Sequence, residues 1–345
     1  MDLSLSEDQD ALRETLGRFL AKASSAEQVR AAEPSGFDEA VWAGLVEMGV
    51  PTMGVPEDQG GSGASLADLA VVAEQAGAAL APVPIVEAMV TARLLAAHGR
   101  EVAPGAVATL ALRPVTDGRA TLVPGGAVAE EVVALTGDDL IAFRPRLPGG
   151  ERDSVANLGS SPLADVDMID GDRSILASGP AAHSAHEHAL DEWRALTASW
   201  MTGLARTALG IGVQYVKDRK QFGVPIGSFQ AVQHRLADLA TAVDGASLLA
   251  AKAAWALDTV DPAALTVPAM AFSFCGETAQ AVASAALHYH GGYGFMEEYD
   301  IQLYFRRAKA ARLVLGDPRR ELQRAADRLF GPVASMDESI AEPVR

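Results

Sequence analysis

The chain has 345 residues, of which 49% are hydrophobic, and its 28 basic and 45 acidic residues give a net charge of −17. This negative charge disfavours nucleic acid and anionic membrane surfaces as partners, because both would repel it. The N-terminus lacks the pattern of a secretory signal, and no run approaches the roughly 20 apolar residues that span a bilayer. The single cysteine, Cys275, cannot form an internal disulfide. We therefore expect a folded cytoplasmic protein with Cys275 in its core.

Apolar residues at helical spacing dominate the first hundred positions. Ser6 and Gln9 form a capping-box pattern that predicts a helix from this point to about Ala21. Further helices are predicted, with Ser65 as one cap, over residues 37–48, 66–80 and 85–97. We predict an all-helical N-terminal domain over residues 1–103.

The pattern changes from about Pro104 to Pro180, where short apolar runs are separated by turn signals. Asp-Gly, Pro-Gly-Gly and Gly-Asp-Asp sequences separate the runs, which include residues 106–112, 128–135 and 140–143. This texture predicts a small, reduced β domain over residues 104–187.

The helical period returns from about His188 and continues through most of the remaining chain. It predicts a C-terminal four-helix-bundle domain over residues 188–332, with helices over residues 195–216, 228–257, 262–290, 298–315 and 318–330. Residues 333–345 are predicted to be a tail. The expected fold class is α+β, mostly α.

Residues 218–230 form a polar, glycine-containing segment between two alanine-rich helices. Its glycines and Pro225 interrupt the helix, and Ser228 is the predicted N-cap of the helix that follows. A helix N-terminus favours anions, and Arg219 adds a forked donor suited to phosphate, with the flat ring of Phe222 beside it. Spacing alone leaves two interpretations open, a nucleotide-binding loop and a simple turn with one solvated arginine.

The order Arg-x-Gln-Phe-Gly-x-Pro-Ile-x-x-Phe-Gln over residues 219–230 resembles the FAD-contacting loop of the acyl-CoA dehydrogenase family. Residues 286–309 resemble the family's C-terminal Gly-Gly segment and the arginine-bearing helix after it. Residues 48–51 and 55–63 resemble its N-terminal passage from helix to loop. The resemblance touches both ends of the chain and implies the same order of parts: N-terminal helical domain, central β domain and C-terminal bundle.

The resemblance implies FAD as the cofactor and an acyl-CoA as the substrate. Arg219 would contact the pyrophosphate, and Gln221 and Phe222 would line the adenosine end. Two glycines would let the backbone approach the cofactor of a neighbouring subunit. His288 stands where the family usually has glutamine and retains one hydrogen bond. The implied FAD-binding residues are Arg219, Gln221, Phe222, Gln230, His288, Gly291 and Gly292.

The positions that match the family's inner active site carry other residues. Between 104 and 180 we find neither the Gly-Ser/Thr-Asp loop nor the Trp-Ile/Phe-Thr/Ser segment that holds the isoalloxazine in the family. Leu315 and Trp193 occupy the two positions where family members carry the catalytic glutamate. Glu192 and Asp317 lie close to these positions, and each is either a displaced catalytic base or a solvated charge.

Three histidines, His183, His186 and His188, precede the predicted bundle. No aspartate or cysteine accompanies them at ligand spacing, so we interpret them as a polar linker and predict no metal site. We predict that the two adjacent glutamates at 297 and 298 form ion pairs with the arginines at 306 and 307.

Retained outer FAD residues, a reduced β domain and no evident base predict the non-catalytic, β-type subunit of a heteromeric acyl-CoA dehydrogenase. The α2β2 actinobacterial enzymes that shorten steroid side chains are the type that the chain resembles. An acyl-CoA dehydrogenase-like partner chain would hold the isoalloxazine and the base, with an electron-transfer flavoprotein as acceptor and a bulky acyl-CoA as substrate. Two alternatives stay open: a self-sufficient homo-oligomeric enzyme with a displaced carboxylate base, and a non-redox binding or scaffold protein.

Overall fold

A computed structural model describes residues 1–103, 105–146 and 152–331, so the predicted tail at 333–345 lies outside the described residues. Within these ranges, helices precede and follow a small β region, as the sequence predicted. None of the helices in these ranges combines the length and the apolar character of a membrane-spanning segment.

Five helices form the N-terminal part: α1 Glu7–Ala23, α2 Ala26–Ala31, α3 Glu39–Glu47, α4 Leu66–Ala78 and α5 Ile85–Ala97. The capping box at the start of α1 is confirmed, because the Ser6 hydroxyl accepts from the Gln9 N–H while the Gln9 side chain accepts from the Ser6 N–H. Ser65 caps α4 in the same way. The bounds predicted for α5 are those observed, whereas the one-and-a-half turns of α2 were not predicted.

The described residues of the β region form six strands: β1 Ala108–Leu110, β2 Arg119–Val123, β3 Glu131–Thr136, β4 Asp139–Pro145, β5 Ala164–Asp167 and β6 Gly171–Ser178. Four of them form one sheet in the order β1-β3-β4-β6, in which β1 runs parallel to β3, and β2 pairs with β5 separately. The apolar runs correctly predicted β1, β3 and β4. The other three were missed, because the more exposed residues of β2 and β6 and the short length of β5 leave no apolar run.

Up to residue 331, where the description ends, the C-terminal part has five helices: α6 Pro180–Asp218, α7 Gln230–Asp258, α8 Val267–Tyr289, α9 Ile301–Leu313 and α10 Arg319–Phe330. Between α6 and α7 the chain forms a short hairpin of β7 Lys220–Gln221 and β8 Val224–Pro225. Cys275 on α8 is buried, as predicted, and burial raises the pKa of its thiol.

Helix α6 begins much earlier than the predicted residue 195, and the interpretation of the three histidines as a linker is wrong. All three lie in its first turns. His183 Nε2 lies 3.1 Å from Asp138 Oδ1, and the buried His186 has its Nε2 3.0 Å from the Ala111 carbonyl oxygen. These contacts fix the start of α6 against the β region.

The middle of α6 is enclosed by other helices. Every residue from 189 to 199 is buried, and α6 lies against α4, α7, α8 and α9. The buried charges in this stretch are therefore paired. Arg194 Nε donates to Glu321 Oε2 over 2.6 Å and its Nη1 donates to Asp191 Oδ1 over 2.8 Å, which joins α10 to α6.

The predicted ion pairs of the 297–298 glutamates are wrong. Arg306 and Arg307 both contact Glu33, which follows α2, and Arg30 forms an ion pair with Asp300. The arginines of α9 thus connect the bundle to the N-terminal helices rather than to their own preceding loop.

Helices α4 and α6 cross with their backbones in contact. A Cβ atom added to Gly203 would lie 1.9 Å from the Glu74 carbonyl oxygen, and one added to Gly77 would lie 1.9 Å from the Trp200 carbonyl oxygen. No side chain fits at either position, so the two glycines set how closely the N-terminal helices approach the bundle.

We predict that Gly203→Ala lowers the free energy of unfolding by about 1 to 3 kcal/mol, because the methyl group forces α4 and α6 apart. Urea denaturation followed by circular dichroism measures this change. Gly210→Ala is the matched control on the same helix, since a Cβ there meets nothing within 4 Å. We expect it to stabilise the protein by about 0.5 to 1 kcal/mol through helix propensity. Equal effects of the two changes would contradict the close crossing.

Candidate functional site

The hairpin after α6 presents Phe222 at its tip. Phe222 and Gly223 have φ of 55° and 82°, and the flanking residues pair as Lys220 with Pro225 and Gln221 with Val224. Two left-handed residues between paired strands form a type I′ turn, which is costly for a residue with a side chain. The ring of Phe222 is 93% exposed. A strained and exposed aromatic residue at a turn indicates a binding role more than a role in folding.

The predicted N-cap role of Ser228 is wrong. The Ser228 hydroxyl donates to the Pro225 carbonyl oxygen over 2.7 Å and closes a 3₁₀ turn, Ile226–Ser228. Helix α7 begins at Gln230, and Phe229 occupies the N-cap position without a side-chain hydrogen bond. The N–H groups at the start of α7 therefore receive no cap from this side chain.

The two segments that carry the resemblance lie side by side. The ring of Tyr215 at the end of α6 stacks on that of His290 at a centroid distance of 3.8 Å. The guanidinium carbon of Arg219 lies 5.9 Å from the ring centroid of Tyr293, in the 3₁₀ turn Gly291–Phe295. The fold thus brings the Arg219 hairpin and the Gly-Gly segment to one surface.

This surface is open. A Cβ built on Gly291 or Gly292 would meet nothing within 4 Å, so a ligand can approach the backbone there. Arg219 forms no ion pair with any residue that the structure describes, and the Gln221 amide donates only to the carbonyl oxygen of Lys220. Every predicted FAD-binding residue is solvent-exposed: Arg219, Gln221, Phe222, Gln230, His288, Gly291 and Gly292. Their donors suit the diphosphate and adenosine of a dinucleotide, and their roles stay predictions.

A second candidate region is a cavity of 460 Å³ near the other half of α6. It lies where the start of α5, the β region, α6 and α9 meet. Trp193 and Arg219 are about 39 Å apart along α6, from the rise of 1.5 Å per residue. The apolar part of its wall includes Leu80, Val83, Leu122, Trp200, Leu313 and Val314.

Glu87 is the carboxyl group that lines this cavity, and sequence reasoning missed it. Trp193, at one of the positions where the family carries its base, donates from Nε1 to Glu87 Oε1 over 3.0 Å. Burial raises the pKa of Glu87, and the hydrogen bond from Trp193 opposes the rise only in part. The cavity therefore contains a carboxyl group that is harder to ionise than an exposed glutamate.

Glu192 is not a solvated charge, and it is not among the residues that line the cavity. It is 4% exposed, and Arg93 Nη2 lies 2.9 Å from its Oε1. Burial opposes its ionisation, but hydrogen bonds from His188 and Arg93 outweigh burial and lower the pKa of Glu192. Glu192 is therefore one partner of a structural ion pair with Arg93, and the geometry gives no support to its role as a base.

Asp317, the other candidate base, is exposed as predicted for a solvated charge. It forms an ion pair with Arg319 over 2.5 Å, and hydrogen bonds from Arg319 lower its pKa to about 2. Like Glu192, it is absent from the cavity lining.

We predict that Glu192→Gln lowers the free energy of unfolding by about 1 to 3 kcal/mol at neutral pH, since it leaves the Arg93 guanidinium poorly paired. Because the pKa of Glu192 is lower in the folded state, its stabilisation is present above the ordinary carboxyl pKa of 4.5 and is lost as the pH falls through the folded pKa. The difference between wild type and variant in urea denaturation should therefore shrink in acid.

Glu298→Gln is the control for this experiment, because Glu298 is exposed. We expect it to change the stability little at any pH. A difference between wild type and Glu192→Gln that grows as the pH falls would contradict the assignment of a lowered pKa.

Sequence profiles agree with the fold. Residues 6–103 match the profile described as "Acyl-CoA dehydrogenase, N-terminal domain", and residues 184–330 match "Acyl-CoA dehydrogenase, C-terminal domain". The chain belongs to the acyl-CoA dehydrogenase family, a family of oxidoreductases. The expected fold class and the expected enzyme class are therefore confirmed.

Individual relatives extend the similarity over almost the whole chain. The acyl-CoA dehydrogenase IpdE2 of Mycolicibacterium smegmatis is 34% identical over 335 residues, covering 94% of this chain and 100% of that protein. The ChsE4-ChsE5 complex from Mycobacterium tuberculosis contains a chain that is 25% identical, with a TM-score of 0.85, covering 97% of this chain and 100% of that one. The Tcur3481-Tcur3483 steroid ACAD contains one that is 26% identical, with a TM-score of 0.83, covering 94% and 98%. The name of each of these two structures gives two components.

Proposed function

We propose that this chain is a subunit of a heteromeric, flavin-dependent acyl-CoA dehydrogenase and contributes the outer FAD-binding residues to a flavin whose reactive ring lies in a partner chain. The observation that carries the proposal is Arg219, which is exposed, has no ion pair among the described residues and lies beside the open Gly291-Gly292 backbone. These residues are exposed on the surface of their own chain, which supports a ligand that lies between subunits.

The residues present fit the outer part of FAD. Arg219 offers a forked donor for the diphosphate, and the exposed ring of Phe222 offers a face for the adenosine end. The bound flavin would supply the hydride acceptor of the dehydrogenation, and this chain's residues bind and orient its far end. The two positions at which the family carries its base hold Trp193 and Leu315, so the base would come from the partner.

The substrate in this proposal is an acyl-CoA with a bulky, polycyclic or branched acyl group. Support comes from the similar structures, one of which is named a steroid ACAD. An α2β2 assembly with half the number of active sites leaves room for such an acyl group. An electron-transfer flavoprotein would then accept the electrons.

Glu87 favours a second candidate function, a self-sufficient acyl-CoA dehydrogenase with a displaced carboxylate. It lines the cavity, and it contacts Trp193, which occupies a base position of the family. The two candidates differ in whether the chain alone binds flavin. A lone protein whose flavin absorbance bleaches with acyl-CoA would favour this candidate over the subunit.

We predict that flavin absorbance appears only when the chain is co-expressed with its acyl-CoA dehydrogenase-like partner, and that Arg219→Ala removes it from the complex. Loss of the charge-assisted hydrogen bonds should weaken FAD binding by about ten- to a hundredfold. The visible spectrum and the ratio of FAD to protein in the purified complex measure this.

Arg173→Ala is the matched control, since Arg173 is an exposed arginine of β6 in the β region. We expect the complex with this change to keep its full content of FAD. Full FAD content in the Arg219→Ala complex would contradict the proposed contact between Arg219 and FAD. The absence of flavin in every complex would favour a non-redox scaffold protein.

A further inference from the structure

Four aromatic rings connect the C-terminal end of α6 to the Gly-Gly segment after α8. Tyr215 on α6 stacks on His290 with ring centroids 3.8 Å apart, and His290 meets Tyr299 edge to face at 6.0 Å. Tyr299 in turn lies 5.4 Å from Tyr293, whose ring centroid is 5.9 Å from the guanidinium carbon of Arg219. These distances are typical of attractive ring pairs and of cation–π contacts. The series of contacts therefore begins and ends at the same end of α6.

His290 is the buried member of this group and immediately precedes the two glycines. It is 5% exposed, and its Nδ1 lies 2.7 Å from the Ala286 carbonyl oxygen, so Nδ1 is the donor. A Cβ added to Gly294 would lie 2.5 Å from the Leu287 carbonyl oxygen and 3.2 Å from the Cβ of His290. The turn that carries the glycines is therefore packed against the end of α8, with the His290 ring fixed beneath it.

The charge of Arg219 is not neutralised by the carboxylate that precedes it in the chain. Asp218 Oδ2 accepts from Gln214 Nε2 over 2.9 Å, one turn back on α6. The backbone of Arg219 is fixed, because its N–H donates to the Tyr215 carbonyl oxygen over 2.8 Å. Its guanidinium contacts the ring of Tyr293, and a ring face restrains a guanidinium without using its N–H groups. These donors are therefore left for an anionic acceptor.

We propose that Tyr293 is a positioning residue that holds the Arg219 guanidinium in one orientation before the diphosphate of FAD binds. Tyr299 and His290 hold Tyr293 in place. This inference rests on the proposed contribution to FAD, and Tyr293 acts through Arg219 rather than on the cofactor. An arginine that is already ordered loses less side-chain entropy on binding, so the affinity rises without a further contact to the ligand.

The affinity of the co-expressed complex for FAD tests this role, with FAD titrated into the flavin-depleted complex and followed by flavin fluorescence. We expect Tyr293→Leu to weaken FAD binding about two- to fivefold, the size of an exposed cation–π contact. Tyr293→Phe keeps the ring face and should keep the affinity. In a complex that already carries Arg219→Ala, Tyr293→Leu should cause no further loss, because the residue through which it acts is absent.

The chain alone provides a second measurement that needs no flavin. Nitrogen-15 relaxation of the Arg219 Nε–H group reports how ordered the guanidinium is. We expect its order parameter to fall below about 0.6, the range of flexible groups, in Tyr293→Leu and to stay at the wild-type value in Tyr293→Phe. The exposed Arg173 of β6 is the internal control, since its order should be the same in all three proteins.

Phe330→Leu is the control for loss of an exposed ring, because Phe330 is 86% exposed at the end of α10. We expect it to change neither the FAD affinity nor the order of Arg219. Because Tyr293 is itself 45% exposed, its replacement should leave the fold intact, which circular dichroism checks.

Three outcomes would overturn the inference. They are an unchanged order of Arg219 in Tyr293→Leu, an unchanged FAD affinity in Tyr293→Leu when Arg219→Ala lowers it, and equal weakening by Tyr293→Leu with and without Arg219. The last would mean that Tyr293 contacts the cofactor or the partner directly. Full FAD affinity in Arg219→Ala would instead refute the proposed contribution to FAD, and the relaxation measurement would then decide by itself whether Tyr293 orients Arg219.

Discussion

The backbone contact between α4 and α6 is the constraint on which the arrangement of the chain depends. Because Gly77 and Gly203 carry no side chain, the carbonyl groups of Glu74 and Trp200 can approach the opposite helix directly. This crossing holds the N-terminal helices against the bundle and keeps the middle of α6 enclosed. Trp193 on the same helix is then placed beside α5, where it contacts Glu87. The close crossing of two helices thus builds one wall of the cavity.

Arginines near the middle of α6 and the arginine at its C-terminal end have different electrostatic environments. Inside the protein, arginines are neutralised by carboxylates on other elements: Arg93 by Glu192, and Arg194 by Glu321. At the C-terminal end of α6, Arg219 is exposed and has no such partner among the described residues. In a chain with a net charge of −17, an exposed arginine beside a strained turn and an open backbone provides local positive charge that would suit an anion. Residues of α6 line the cavity, and the exposed surface lies at the C-terminal end of the same helix, so the two regions are distinct.

Local patterns predicted much of the fold and the outer part of the candidate site. Capping at Ser6 and Ser65 needs only neighbouring residues, and the glycines after Arg219 interrupt the helix wherever the rest of the chain lies. Long-range pairs were not predictable in this way. Glu87 and Trp193 are 106 residues apart, and Glu192 meets Arg93 across 99 residues, so neither the cavity-facing carboxyl nor the buried ion pair leaves a sequence pattern.

The sequence by itself determined the family, the order of helical, β and helical parts, and the segments that carry the FAD-contacting resemblance, because these depend on residue type and local spacing. Only the tertiary structure decided which carboxylates face a cavity and which are locked in ion pairs. Adjacent residues on a helix point about 100° apart, so Glu192 and Trp193 face different neighbours although they are consecutive. The packing of α5 against α6 determines which residues surround Glu192 and Trp193. A local sequence pattern does not predict this packing.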